Sequence, residues 1–137
     1  MTAPDLFDLS GKIAIVTGAS RGIGAEIARL LAAHGAHTIV SSRKQVDCQL
    51  VVDEIVAAGG TAEAVACHIG ELAQIKALFA HVEQMHGRLD VLINNAATNP
   101  YFGPITETDP AIFQKTVDVN IRGYFYMCSH GAKLMAK

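Results

Sequence analysis

Short apolar runs alternate with longer stretches of helical spacing along the chain. Lys12–Thr17 is an apolar run rich in β-branched residues and closed by Gly18, which predicts a buried strand. From Gly22 to His34 the large apolar residues fall at Ile23, Ile27, Leu30 and Leu31, a helical spacing, and Gly35 stands where a helix stops. His37–Ser41 reads as a second strand, Val46–Ala58 as a second helix closed by Gly59-Gly60, and Ala62–Ala66 as a third strand. Glu71–His86 reads as a third helix, with Ile75, Leu78, Phe79, Val82 and Met85 on one face and a stop at Gly87. Asp90–Ile93 is a fourth strand. A loop with Asn99-Pro100 and Gly103-Pro104 then leads to a long last helix from about Asp109, striped by Phe113, Val117, Ile121, Tyr124, Cys128 and Met135.

Strand–helix alternation with apolar strands implies an α/β chain whose parallel sheet is covered on both faces. Right-handed crossovers give a doubly wound, Rossmann-type arrangement in three α/β/α layers, with strand order 3-2-1-4 and one domain over residues 1–137. Ligands of such sheets bind at the carboxyl ends of the strands, where the order reverses. That crevice lies between the first and fourth strands. The turn Gly18–Gly24 and the segment Asn94-Asn95-Ala96-Ala97 both face it.

Composition narrows the partners. A formal charge of −2 without clustered Lys and Arg argues against a nucleic-acid surface, and no apolar run is long enough to cross a bilayer. Met1–Ser10 lacks the apolar core of a signal peptide. Cys48, Cys67 and Cys128 are odd in number and form no CxxC pair, which points to reduced thiols in a cytoplasmic protein. No metal site is expected: there is no HExxH, and His81 and His86 stand five apart, on different faces of their helix.

The segment Thr17-Gly18-Ala19-Ser20-Arg21-Gly22-Ile23-Gly24 joins the first strand to the first helix. Its glycines allow a tight turn and close approach of a pyrophosphate, and the helix start offers free N–H groups and a positive dipole end. An ordinary βα turn of small residues is the alternative. The strand before it and the helix and second strand after it favour a dinucleotide site.

The spacing is TGxxxGxG, and with it the chain resembles the classical short-chain dehydrogenases/reductases. Asn94-Asn95-Ala96-Ala97 is similar to that family's Asn-Asn-Ala-Gly motif, with Ala97 in place of the glycine, and Asn120 in Val117-Asp118-Val119-Asn120 matches the family's helical Asn. The segments Ser41–Lys44, Cys67–Gly70 and Asn95–Pro100 look most like NADPH-dependent carbonyl and retinal reductases. The resemblance implies hydride transfer between a nicotinamide cofactor and a carbonyl or secondary alcohol, with a small-molecule substrate and a homo-oligomeric assembly, dimer or tetramer. It implies cofactor contacts from Gly18, Ser20, Arg21, Gly22, Ile23 and Gly24, and from Asn95, Ala96 and Ala97. It also implies a catalytic place for Asn120, which in the family distorts its helix and holds a water in a proton relay. The family's Ser and Tyr-xxx-Lys pair are expected after Lys137, so these residues read as the cofactor-binding half. A non-catalytic dinucleotide-binding or interaction protein is the competing expectation.

The end of the second strand selects the cofactor. An acid there binds the adenosine ribose hydroxyls and repels a 2′-phosphate. The chain has Ser42 instead, followed by Arg43 and Lys44, with Arg21 close by in the glycine turn, which favours NADP(H) over NAD(H). At the end of the third strand, Ile69 and His68 are expected at the adenine. His68 stands where the family has an acid, either as a hydrogen-bond acceptor or packed on the ring edge. For Asn120, placed within the last helix's apolar stripe, a purely structural role bonded to nearby backbone is the alternative.

Overall fold

The computed structural model describes residues 5–137. Four parallel strands form one sheet: β1 (Ile13–Thr17), β2 (His37–Ser41), β3 (Thr61–Ala64) and β4 (Val91–Ile93), in the order β3-β2-β1-β4. This is the expected 3-2-1-4 order. β3 and β4 are each shorter than their apolar runs suggested. Around them run α1 (Gly22–Ala33), α2 (Gln45–Ala57), α3 (Leu72–His86), α4 (Pro110–Val117) and α5 (Tyr124–Met135). No helix among the described residues is long and apolar enough to cross a membrane.

The two-residue alternation of β1 divides the core. Ile13 and Ile15 join Ile39 in a cluster with Ile75, Leu78, Val82 and Met127, on the α3–α5 side. Val16 joins Val40, Ala28 and Val51 on the α1–α2 side. Because both faces are covered, every residue of β1 is buried and the strand reads as continuous apolar sequence up to Thr17.

Three apolar stripes differ from expectation. In α1 the residues against the sheet are the small ones, Gly24, Ala25, Ala28 and Ala32, while Ile23 and Leu30 are exposed. Small side chains let the helix axis approach the strands closely, so the large residues are displaced to the flank. In α3, Ile75, Leu78, Phe79 and Val82 are buried as expected, but Met85 in the last turn is exposed. The last helix is capped by Asp109, whose Oδ1 accepts from the Ala111 N–H at 2.7 Å, with Pro110 in the first turn. It is then interrupted by a π-helical turn, Asp118–Gly123. The wider turn shifts the register of the face that follows. Val119, Gly123, Met127, Gly131 and Leu134 are buried, whereas Phe113, Ile121, Cys128 and Met135 of the expected stripe are exposed.

At the amino ends of the strands, Asp90 closes the sheet. Its Oδ2 accepts from the Ile13 N–H at 2.8 Å and from Arg88 Nε at 3.0 Å. The Arg88 hydrogen bond, helped by the Ile13 N–H against a modest effect of burial, holds the Asp90 carboxyl below its ordinary range. Beside it, His81 and His86 both reach Glu63, at 2.9 and 2.6 Å, although five residues separate them on α3. The expected placement on different faces did not keep them apart, because the two oxygens of one carboxylate on β3 span the gap.

Candidate functional site

At the carboxyl ends of the strands lies a cleft of about 590 Å³, within the range of small-molecule and cofactor sites. Its floor is built by a clamp between β1 and β4. Thr17, fully buried, donates its hydroxyl to the Ile93 carbonyl at 3.2 Å and accepts from the Asn95 and Ala96 N–H groups, both at 3.0 Å. Asn95 returns its side-chain amide to the carbonyls of Thr17 at 3.1 Å and Gly18 at 3.2 Å. Two strands adjacent in space but 76 residues apart in sequence are thus locked with their ends level. The sequence showed Thr17 only as the first letter of a motif; its hydroxyl had no visible partner there.

The glycine turn forms one wall. Gly18 and Gly22 have positive φ, +61° and +55°, which only glycine adopts without strain. A Cβ on Gly22 would meet nothing, so its Cα faces open cleft. Ser20, Arg21 and Ile23 line the same wall. Arg21 is the extended N-cap of α1, but no side chain caps the helix and no acid lies in its first turn. The first N–H groups are therefore left for an anion. Gly24 does not line the cleft. A Cβ there would stand 2.6 Å from Asn95 Nδ2, 2.8 Å from the Gly18 carbonyl carbon and closer still to its oxygen, so this glycine lets α1 pack on the clamp.

The opposite walls come from β2, β3 and β4. Ser42, Arg43 and Lys44 lie at the end of β2, all on the cleft. The Ser42 hydroxyl is 3.2 Å from Cys48 Sγ. Burial pushes the Cys48 thiol up, with Ser42 opposing. Asp47 and Leu50, one helical turn apart on α2, also line this wall and were not expected there. His68 and Ile69 follow β3, with Cys67 behind them; burial pushes the Cys67 thiol up to about 11. His68 is held twice: its N–H donates to Gln74 Oε1 at 2.8 Å, and its Nδ1 accepts from the Gly70 N–H at 3.0 Å. With Nδ1 accepting, the neutral ring carries its proton on Nε2.

Asn95, Ala96, Ala97 and Thr98 complete the rim on the β4 side. Asn120 sits behind them in the π-helical turn. Its Oδ1 accepts from the Thr98 N–H at 2.8 Å, and its Nδ2 donates to the Thr98 carbonyl at 2.7 Å. The side chain mimics a strand partner for Thr98 and fixes the loop that borders the cleft. The wide turn also brings Gly123 so close to Ile69 that a Cβ would stand 2.6 Å from the Ile69 oxygen. Arg122 adds a hydrogen bond to the Gly70 carbonyl at 2.7 Å. The π turn therefore serves two loops of the site together, and Val119 within it and Lys115 just before it reach the cleft. Of the expected cofactor residues, all but Gly24 border this one cleft. Lys115 carried no signal in sequence, since a single lysine on a short helix belongs to no motif.

A family model described as short chain dehydrogenase matches residues 12–137. Human dehydrogenase/reductase SDR family member 4 is 40% identical over 114 residues, which cover 83% of this chain and 41% of the human protein. An uncharacterized oxidoreductase of Methylorubrum extorquens is 41% identical over 116 residues, covering 84% of this chain and 46% of its own length. The crystal structure of a metagenomic short-chain oxidoreductase in complex with NADP superposes with a TM-score of 0.89 at 41% identity, covering 92% of this chain and 57% of the other. The chain thus spans less than half the length of these two curated relatives.

Proposed function

The chain belongs to the short chain dehydrogenase family of oxidoreductases, and on that premise we propose that it forms the NADP(H)-binding part of an enzyme that interconverts a carbonyl and a secondary alcohol. The observation that carries the cofactor choice is the end of β2, where Ser42, Arg43 and Lys44 line the cleft with no acid at the strand end. A hydroxyl and two cations suit a dianionic 2′-phosphate, and a third cation, Arg21, stands across the same cleft. Asp47 on that wall works against it. The 41%-identical metagenomic relative solved with NADP supports the same choice.

The bound nicotinamide would supply the hydride; the chain's own part is binding and orientation. The uncapped start of α1 at Gly22 and Ile23 would hold the pyrophosphate. His68, with its proton on Nε2, would donate to a ring nitrogen of the adenine rather than accept from its amino group. Asn120 would act as a positioning residue, since both of its amide groups are spent on Thr98. None of Tyr101, Tyr124 or Tyr126 is followed four residues later by a lysine, so a proton donor of the family's Tyr-xxx-Lys type is not among these residues. The exposed apolar side chains of Phe113, Ile121 and Phe125 support assembly into a dimer or tetramer. Three free cysteines support a cytoplasmic, reducing location.

The test is a pair of binding titrations, NADPH and NADH, followed by fluorescence. NADPH is expected to bind more tightly, and Ser42→Asp to reverse the order by setting a carboxylate against the phosphate. Equal affinities of the two cofactors for the unaltered chain would refute the assignment.

A further inference from the structure

The end of the sheet away from the cleft holds a second concentration of chemistry. His37 opens β2, Glu63 lies on the neighbouring β3, and His86 closes α3. Glu63 pairs in register with Ile39, two residues after His37, so Glu63 and His37 point to the same face, the one α3 covers. One ring nitrogen from each of His37 and His86 and a carboxylate oxygen of Glu63 all lie within 4.8 Å of one another. Glu63 Oε1 is 2.6 Å from His86 Nε2 and 3.6 Å from His37 Nε2, while Oε2 takes His81 Nε2 at 2.9 Å. The His37 and His86 rings tilt across each other with centroids 4.8 Å apart.

One atom in this group is not accounted for by hydrogen bonding. His37 Nε2 is shut off from solvent and has no hydrogen-bond partner, and 3.6 Å to the carboxylate is too long to count as one. A buried polar nitrogen aimed at a carboxylate and a second imidazole is the arrangement an ion resolves. We propose that His37, Glu63 and His86 bind a divalent transition-metal ion of the zinc class, with His81 holding the second carboxylate oxygen.

The donor set decides the class. Two imidazole nitrogens and one carboxylate oxygen suit zinc, nickel or copper, whereas calcium and magnesium demand oxygen throughout. Bonds of about 2.0–2.2 Å to a tetrahedral ion set ligand atoms roughly 3.3 Å apart. The Glu63–His86 pair must open by under an ångström, and the two imidazole nitrogens must close by a comparable or somewhat larger step, both within side-chain rotation. Protons now between the nitrogens and the carboxylate move to Nδ1 or to solvent, freeing the Nε2 lone pairs. The side chains of Glu63 and His81 are 25% and 37% exposed, which leaves an entry path and a position for water. The ion would tie β2, β3 and the last turn of α3 together, a structural task remote from the cleft.

The test titrates the untagged, chelator-stripped chain with Zn²⁺ against a chromophoric chelator, with Mg²⁺ as control. One Zn²⁺ per chain is expected. His37→Ala and His86→Ala should each weaken it on the order of tenfold or more, the scale of lost or disturbed ligands, while His34→Ala, at an exposed histidine outside the cluster, should not. Should an alanine variant fail to fold, Glu63→Gln decides, since it keeps the shape and removes the anionic ligand. Co²⁺ in place of Zn²⁺ should give visible ligand-field bands that Glu63→Gln abolishes. Zn²⁺ binding that survives these substitutions, absence of binding by the folded chain, or equal affinity for Mg²⁺ would each overturn the site.

Discussion

Replacing Gly24 by alanine and Gly22 by alanine should separate what the glycine turn does for the fold from what it does for the ligand. At Gly24 the added methyl group meets Asn95 Nδ2 at 2.6 Å and the Gly18 carbonyl carbon at 2.8 Å. Carbon atoms rest at about 3.5–4.0 Å, so α1 or the clamp must move by nearly an ångström. The neighbours are backbone and a doubly bonded amide, so they yield only as a unit. Overpacking of this kind costs about 1–3 kcal/mol. Alanine's better helix propensity returns up to about 1 kcal/mol, leaving a net loss of roughly 1–2 kcal/mol, a large part of a typical domain's margin. At Gly22 the methyl group meets nothing, and the only cost is a left-handed φ of +55°, about 1–2 kcal/mol for a residue with a Cβ.

The two variants therefore lose similar stability for different reasons, and cofactor binding tells them apart. The Gly22 methyl projects into the space where a pyrophosphate would meet the start of α1, so NADPH affinity should fall by at least tenfold. The Gly24 methyl lies beneath the wall, so the affinity loss should follow the loss of stability and be partly recovered in a stabilising osmolyte. Urea denaturation by circular dichroism and NADPH fluorescence on the same samples give both quantities. Unchanged urea midpoint and unchanged affinity for Gly24→Ala would refute the packing argument; full NADPH affinity in Gly22→Ala would remove the pyrophosphate from this turn.

Other outcomes follow from the same geometry. Thr17→Val keeps the shape but leaves the Asn95 and Ala96 N–H groups without their acceptor, and should cost about 1–3 kcal/mol in urea denaturation; a loss within error would mean that water replaces the hydroxyl. Asp90 is held below its ordinary pKa in the folded chain, so its contribution is present above the unfolded value of about 4 and is lost as pH falls through the folded one. The stability gap between the unaltered chain and Asp90→Asn should thus be constant near neutrality and shrink below about pH 4, and a gap that widens in acid would contradict the pairing. Cys128 is exposed, whereas Cys67 is buried with its thiol pushed up to about 11, so a disulfide reagent at neutral pH should modify Cys128 first and Cys67 only on unfolding. Residues 1–137 alone should consume no NADPH with aldehydes or ketones, because a missing general acid typically costs 10²–10⁴-fold; turnover abolished by Asn120→Ala would show that an acid is recruited from within them.

The parts of this molecule legible in sequence are those written in local pattern. β1 announces itself as Ile13–Thr17 because burial on both faces leaves no polar position before Thr17, and the order of the sheet follows from handedness once the strands alternate with helices. The glycine turn is legible because Gly18 and Gly22 answer a backbone requirement. The stripes failed where size mattered more than polarity. α1 turns its alanines inward; of the large apolar residues, Ile27 and Leu31 pack in part against the core while Ile23 and Leu30 face solvent. The π turn at Asp118–Gly123 was invisible as geometry because its causes are distant, in the Thr98 backbone and the Ile69 carbonyl, although Asn120 itself was marked by the family resemblance.

The histidines fail for a related reason. On a helix, residues five apart stand about 140° apart, which argues against one metal shared by His81 and His86 through the helix surface alone. It says nothing about a third element. Glu63 comes from an edge strand, Thr61–Ala64, expected as Ala62–Ala66, in which an exposed Thr61 is followed by three half-buried residues and the single acid stands among small ones. Its two oxygens turn the angular gap between the histidines into a bridge, and the parallel register brings His37 to the same face. Helical periodicity measures which side chains share a surface. Whether they share a ligand depends on the reach of what lies opposite, and for that the neighbouring strand has to be placed first.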